Sequence, residues 1–173
     1  MIRVRDATLD EVRAVQLRVL RPEGPLPGDT GPPPGWLHVA AEDHGDVVGA
    51  CSIGPAVWPH PDLVDLPPPT WQLRSMAVLP GYRGGTGAML RDAAVARARA
   101  AGAASMWAQA RVPALTLYLR GGWTAVGREW LKPGVGPHRW VTLLLEVQAP
   151  VQSCAASPWP NAGTGPRPPC QGS

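Results

Sequence analysis

Residues 71–102, WQLRSMAVLPGYRGGTGAMLRDAAVARARAAG, constrain the fold more than any other stretch of the chain. Their pattern predicts a strand, an abrupt stop, a glycine-rich loop and a helix. Trp71, Leu73, Met76 and Val78 supply apolar positions, and Met76-Ala77-Val78-Leu79 is nearly continuous, as in a strand buried on both faces. Pro80 removes a ladder donor and Gly81 permits a turn, so the strand 71–79 ends there. A helix is predicted over 87–101, with Met89, Ala93, Ala96 and Ala100 on its inward face and Gly102 as its C-terminal cap.

The junction between strand and helix suits an anion. Without a Cβ, Gly84, Gly85 and Gly87 let the backbone approach a ligand closely and turn N–H groups towards it. The first N–H groups of a helix lack internal partners, and the helix dipole adds partial positive charge there. Arg83 brings a full charge beside them. A phosphate or pyrophosphate fits this arrangement; a flexible turn is the plainer reading of the same glycines. The loop has neither the Gly-Lys-Ser/Thr ending of a Walker A loop nor the Gly-x-Gly-x-x-Gly of a dinucleotide site. A generic binder of nucleotide phosphates stays open on the residues alone.

Arg83-Gly84-Gly85-Thr86-Gly87-Ala88, after a Val-Leu-Pro strand end, resembles the acetyl-coenzyme A loop of the GNAT N-acetyltransferase superfamily. That pattern is Arg or Gln, two residues, Gly, one residue, then Gly or Ala. Counted from Arg83, Thr86 stands where the first Gly belongs and Ala88 closes the motif. Counted from the glycines, Gly85 and Gly87 fit, Tyr82 takes the basic position, and the loop is one residue short. Residues 107–111 and Tyr118-Leu119-Arg120-Gly121-Gly122-Trp123 resemble the fifth strand and the aromatic-Tyr-x-x-x-Gly-aromatic segment of the same family. Val135-Gly136-Pro137-His138, with residues 17–22 and 71–78, resembles one uncharacterised branch of it. The likeness spans about residues 1–147.

The resemblance implies an α/β fold, with a mixed central sheet of about seven strands and helices on both faces. It implies transfer of an acetyl group from acetyl-CoA to a primary amine. Strands 71–79 and 105–111 would pair at one end and splay at the other, admitting the pantetheine arm along the main chain of Met76, Ala77 and Val78. The N–H near Ala77 or Val78 would face the thioester carbonyl, and Arg83, Gly84, Gly85, Thr86, Gly87 and Ala88 would hold the pyrophosphate. Tyr118 matches the family tyrosine and would protonate the departing thiolate; the alternative is a tyrosine that merely packs a short helix.

Two residues are candidates for the base that takes the amine proton. Glu129 falls at a strand end, and His138 titrates in a useful range and is predicted in a loop beside the acceptor. Gln109, Arg111 and Arg74 are candidate acceptor-binding residues; the arginines suit a carboxylate or phosphate, or are surface or cross-strand partners. No Gly-x-Ser-x-Gly elbow is present and Cys51 has no adjacent histidine, so direct attack by the amine is expected, without a metal. A non-catalytic acyl-CoA-binding or regulatory module is the alternative.

The remaining pattern fits one domain over 1–149. Residues 2–5 alternate as a strand. Thr8-Leu9-Asp10-Glu11 is a capping box for a helix carrying Val12, Val15 and Val19 as far as Leu20. Six prolines and four glycines from Pro22 to Gly35 exclude helix; that loop is either a wall of the acceptor pocket or a solvated linker. Strands 36–42 and 47–53 flank the turn Asp43-His44-Gly45-Asp46. A proline-rich loop over 55–70 holds His60 and Asp62. A strand over 105–111 and a short helix over 113–120 follow, then antiparallel strands 123–130 and 140–147 across a loop 131–139. Residues 150–173, rich in Pro, Ser, Gly and Ala without periodicity, predict a disordered tail.

The net charge of +3 is carried almost wholly by scattered arginine, with Lys132 the sole lysine. That gives no nucleic-acid footprint, only a field favouring an anionic cofactor. No apolar run nears the ~20 residues of a membrane span, residues 1–6 have no signal-peptide core, and Cys51, Cys154 and Cys170 form no metal or disulfide pattern. A cytoplasmic enzyme acting on a small-molecule amine is expected, and a homodimer would be ordinary for the family. Phenylalanine is absent and tryptophan occurs eight times, so tryptophan is expected to fill the large core and pocket positions.

Overall fold

The computed structural model describes residues 1–24 and 31–145. The expected tail, the last residues of the expected domain and the centre of the loop after Pro22 lie outside them. The elements run β1 (Arg3–Ala7), α1 (Leu9–Leu20), β2 (Leu37–Asp43), β3 (Asp46–Pro55), β4 (Thr70–Val78), α2 (Thr86–Ala100), β5 (Ser105–Arg111), α3 (Leu115–Leu119), β6 (Thr124–Lys132) and β7 (Gly136–Leu144). The strands form one mixed sheet in the order β1-β2-β3-β4-β5-β7-β6. Only β4 and β5 pair in parallel.

Local chemistry sets the boundaries. At the start of α1 the Glu11 N–H donates to Thr8 Oγ1 at 3.4 Å and the Thr8 N–H donates to Glu11 Oε2 at 2.8 Å, so the capping box forms as its spacing predicts. The β2–β3 hairpin turns on His44 and Gly45, both at positive φ (51° and 94°), a two-residue connection that matches strand twist. Gly102, at φ 86°, follows the Ala101 cap of α2. There the Ala103 N–H donates to Ala98 O and the Gly102 N–H to Arg99 O, both at 3.0 Å, which satisfies two orphan carbonyls.

The helices cover opposite faces of the sheet. On one face Val12 of α1 packs with Ala40 and Ala50, and Gln16 Nε2 donates to Ser52 Oγ at 3.3 Å. On the other, Leu90, Ala94 and Ala98 of α2 enter the main core with Cys51, Ile53, Leu73 and Met106. A Cβ on Gly49 would lie 3.0 Å from Leu90 Cδ1, so glycine lets α2 sit close to β3. The inward face of α2 differs from the sequence expectation: Met89, Ala96 and Ala100 are exposed and Ala93 is only half-buried. Alanine surrounds this helix, so its spacing has little contrast, and bulky Leu90 decides which side is buried.

Two irregularities shape the middle of the sheet. Parallel pairing of β4 with β5 runs from Thr70↔Ser105 to Leu73↔Ala108 and stops, although both strands continue. Opposite β3, Ser52 pairs with Arg74 but Ala50 with Ala77, so β4 carries one extra residue there, with Ser75 at φ 55°. That bulge reverses the alternation of β4. Arg74 lies on the α1 face with Ser52, whereas Met76 and Val78 beyond it pack against the α2-side core. The β6–β7 hairpin is also longer than expected, since the strands run to Lys132 and from Gly136. His138 is therefore a strand residue, not a loop residue. Pro137 is tolerated because it lies beyond the last β5 partner, the pair Arg111↔His138.

Candidate active site

Where β4 and β5 part, a cleft of about 1160 Å³ opens through the sheet. Leu79 N–H donates to Val48 O at 2.9 Å on the β3 side. Strand alternation therefore turns the N–H of Val78 away from β3 and into the gap. Of the cofactor residues expected from the sequence, Met76, Ala77, Val78, Arg83, Gly85, Gly87 and Ala88 line the cleft, while Gly84 and Thr86 do not.

The loop explains this division. A single 3₁₀ turn, Pro80–Tyr82, carries the chain away from β4, and Gly85 at φ 121° starts α2. The N–H groups of Ala88 and Met89 both donate to Gly85 O, at 3.0 and 3.1 Å, and the donors before them point out of the helix end. Gly84 is exposed on the outer side. Thr86 is 1% exposed, packed towards Gly49, and its hydroxyl has no partner among the described residues. Gly85, exposed, and Gly87, buried against the Leu117 side chain, are the glycines of this helix end that line the cleft. Arg91, which no sequence signal singled out, is buried against α3 through Leu117 O and pairs with Asp92 Oδ1 at 2.7 Å.

Tyr118 stands in the cleft wall, 5% exposed, with its ring edge-on to Trp123 at 5.4 Å. Burial, reinforced by neighbouring Cys51 and opposed by Arg91, raises its phenol above the usual 10, so it holds its proton at neutral pH. The Cys51 thiol, fully buried beside Leu90 O, is pushed up to about 12 by desolvation. It is an inert core thiol.

On the α1 face, His138 lies opposite Arg111 on β5 and Trp130 on β6. It is 4% exposed, and its Nδ1 sits 2.8 Å from Gly136 O. A carbonyl only accepts, so Nδ1 carries the proton and Nε2 keeps a lone pair in the neutral ring. Burial lowers the pKa of His138 from 6.5, against the Gly136 hydrogen bond, and the charges of Lys132, Arg111 and Arg21 lower it further. Its ring stacks near Trp130 at 5.2 Å; from there Trp140, Trp107 and Trp58 continue the row at 5.4, 5.7 and 5.7 Å. Trp107 itself lines the cleft.

The other expected residues separate. Glu129 is exposed, in the irregular stretch of β6 between Val126 and Trp130, and does not line the cleft; it precedes Trp130, the ring that shares the His138 face, so strand alternation puts Glu129 on the other one. Gln109 accepts from Lys132 Nζ at 2.9 Å. Arg111 is half-buried, and desolvation followed by the charge of Arg21 lowers its pKa. Arg74, Arg21 and Lys132 also line the cleft; the last two entered no sequence argument about the site. Among the described residues no cluster of His, Cys, Asp or Glu could hold a metal, and no helix is long and apolar enough to cross a membrane.

A sheet parted between parallel strands above an open helix end defines the acyl-CoA acyltransferase class of α/β fold. The chain belongs to the acetyltransferase (GNAT) family, whose model matches residues 9–123. Many solved structures share its fold, among them the following three. An IAA acetyltransferase from Bacillus cereus is 16% identical, over 84% of this chain and 100% of that one, with a TM-score of 0.63. A phosphinothricin acetyltransferase from Sinorhizobium meliloti, in complex with AcCoA, is 19% identical over 88% and 94%, with a TM-score of 0.63. A putative acetyltransferase from Salmonella typhimurium, with its cofactor acetyl-CoA, is 19% identical over 89% and 99%, with a TM-score of 0.61. No curated protein matches the chain in sequence. Family membership supports acyl-CoA-dependent acyl transfer as the general activity.

Proposed function

We propose that the protein transfers an acetyl group from acetyl-CoA to a primary amine on a small molecule, by direct attack within a ternary complex. The observation that carries this reading is the interrupted β4–β5 pairing, which leaves the Val78 N–H facing a strand-sized gap that leads to the open end of α2. The residues present fit the cofactor: main-chain groups of Met76–Val78 for the pantetheine amides, Gly85 and Gly87 with Arg83 for the pyrophosphate. Bound structures of the fold neighbours from Sinorhizobium meliloti and Salmonella typhimurium support that choice. When bound, acetyl-CoA supplies an activated thioester carbonyl. Val78 N–H stabilises the negative charge that develops on its oxygen. His138 Nε2 takes the proton from the amine, and the Tyr118 hydroxyl donates one to the leaving thiolate. Gln109, Arg111 and Arg74 orient the acceptor. The reading assigns no part to Glu129, nucleic acid, membrane or metal, and it accommodates a homodimer in the cytoplasm.

A thermal-shift titration with acetyl-CoA, coenzyme A, ATP and NAD tests it. At a hundred times its dissociation constant a ligand stabilises the native state by about 2.7 kcal/mol, roughly 5–10 °C for a domain of this size. A shift with acetyl-CoA and coenzyme A alone, followed by amine-dependent thiol release, is the expected result. A shift without release from any amine supports the non-catalytic module instead, and equal shifts with ATP and NAD support a generic phosphate binder.

A further inference from the structure

The cleft wall that carries Tyr118 also holds a buried arginine. Arg91, on α2 about one turn past Gly87, is 6% exposed and lines the cleft. All three of its guanidinium nitrogens are engaged. Nε and Nη2 lie 2.8 and 2.7 Å from Asp92 Oδ1, and Nη1 donates to Leu117 O. The Asp92 carboxylate is exposed, so water screens its charge.

The Leu117 contact meets a specific need. α3 has five residues, too short a helix to be stable alone. At its end the N–H of Arg120 donates to Thr116 O, those of Gly121 and Trp123 to Tyr118 O, and that of Gly122 to Leu119 O, at 2.8 to 3.2 Å. The Gly121 N–H has thus turned from Leu117 O, its α-helical acceptor, to Tyr118 O. Leu117 O takes the Arg91 guanidinium instead. Two glycines complete the fit: a Cβ on Gly121 would overlap that guanidinium, and one on Gly87 would lie 3.3 Å from Leu117 Cδ2. Helix α2 therefore holds Leu117 twice, its side chain against Gly87 and its carbonyl by Arg91, and the next residue is Tyr118.

In the proposed transfer Tyr118 gives its hydroxyl proton to sulfur as the thioester C–S bond breaks, and takes one back from water. Negative charge resides for that interval on a ring that is 5% exposed. Arg91 keeps its own protons, and its charge is near enough to the phenol to oppose the effect of burial.

We infer that Arg91 is the positioning residue for Tyr118: from α2 it completes the last turn of α3, fixes the phenol in the cleft and supplies the charge that offsets proton loss there. This rests on the acyltransferase reading above and adds a residue to it.

A double-mutant cycle tests the inference. Arg91→Met removes the donors and the charge, and should lower kcat at least about tenfold while acetyl-CoA affinity, by calorimetry, stays within about threefold. Arg91→Lys, which keeps the charge without the fork, should recover part of the loss. In a Tyr118→Phe background Arg91→Met should cost nothing further, because the group it serves is gone. An equal loss in both backgrounds, or no loss in either, would overturn the inference. Amide hydrogen exchange reads the clasp without turnover and decides if no amine supports release, a failure that counts only against the acyltransferase reading. In Arg91→Met the amides of residues 120–123 should exchange roughly tenfold faster, with residues 90–98 of α2 unchanged; unchanged exchange at 120–123 would refute the positioning role. Should Arg91→Met fail to fold, Gly121→Ala, which retains Arg91 but displaces its guanidinium, takes its place in both measurements. Unfolding of both variants would make Arg91 a residue of folding alone and overturn the assignment.

Discussion

His138 and Tyr118 meet the cleft with shifts in opposite directions, and the signs decide what each can do. Burial and surrounding cations hold His138 below 6.5, so its ring is neutral, with Nε2 able to accept, further into acid than a free imidazole. Burial holds Tyr118 above 10, so it remains a proton donor into alkali. The rate should therefore be flat across neutrality, with its acid limb below 6.5 and no limb from Tyr118 at or below 10. His138→Gln should lower kcat by roughly 10²–10⁴-fold and erase the acid limb. Tyr118→Phe should lower kcat while leaving acetyl-CoA affinity near that of the native protein. An acid limb unchanged in His138→Gln would remove His138 from the mechanism. Legibility at this scale was uneven. That Tyr118 lines the cleft could be read because the residue belongs to a local segment ending in Gly122 and Trp123. Whether Glu129 or His138 faced the cleft depended on the pairing of His138 with Trp130 and Arg111, and a long-range register of that kind leaves no mark in local sequence.

At the scale of elements, the start of α2 concentrates the functional geometry in a few dihedral angles. Gly85 adopts φ 121°, where an L side chain is strained, yet a Cβ there would meet nothing within 4 Å. Gly85→Ala should thus act through backbone conformation alone, at about 1–3 kcal/mol. Part of that cost should appear as weaker acetyl-CoA binding, because the helix end that presents its N–H groups must rotate. Gly84→Ala, where φ is not positive and space is also open, is the matched control and should bind acetyl-CoA normally. Calorimetry on the two variants checks this, and equal affinities would show that the Gly85 conformation is dispensable. The strand–stop–loop–helix order was readable because proline, glycine and apolar runs are local signals. The inward face of α2 was not, since alanine lies on every side of it. The extent of β6 and β7 was not either, since Pro133, Gly134, Gly136 and Pro137 look like breakers until β5 is seen to end at Arg111.

Across the whole molecule, acid should act in two stages. Burial depresses the pKa of both His38 and His138 in the folded state. The unfolded chain then takes up protons first, so the stability these residues carry is complete above 6.5 and declines as pH falls below it. Glu11, held down at about 2 chiefly by the Thr8 N–H and then by Arg5, contributes above 4.5 and loses its contribution as pH falls towards 2; Glu42 and Asp43 shift in the same direction. A melting temperature measured against pH should begin to fall below 6.5 and fall again below 4.5. No change between neutrality and about pH 5 would mean that both histidines protonate freely in the fold. The row of rings from His138 through Trp130, Trp140 and Trp107 has a further consequence. Indole emission is sensitive to a nearby positive charge and to displaced water, and these rings lie on the acceptor face, whereas Trp71 and Trp123 belong to the core on the other side. Intrinsic emission should therefore act as an unlabelled optical gauge of His138 protonation and, on the proposed function, of acceptor binding, against the background of the α2-side tryptophans.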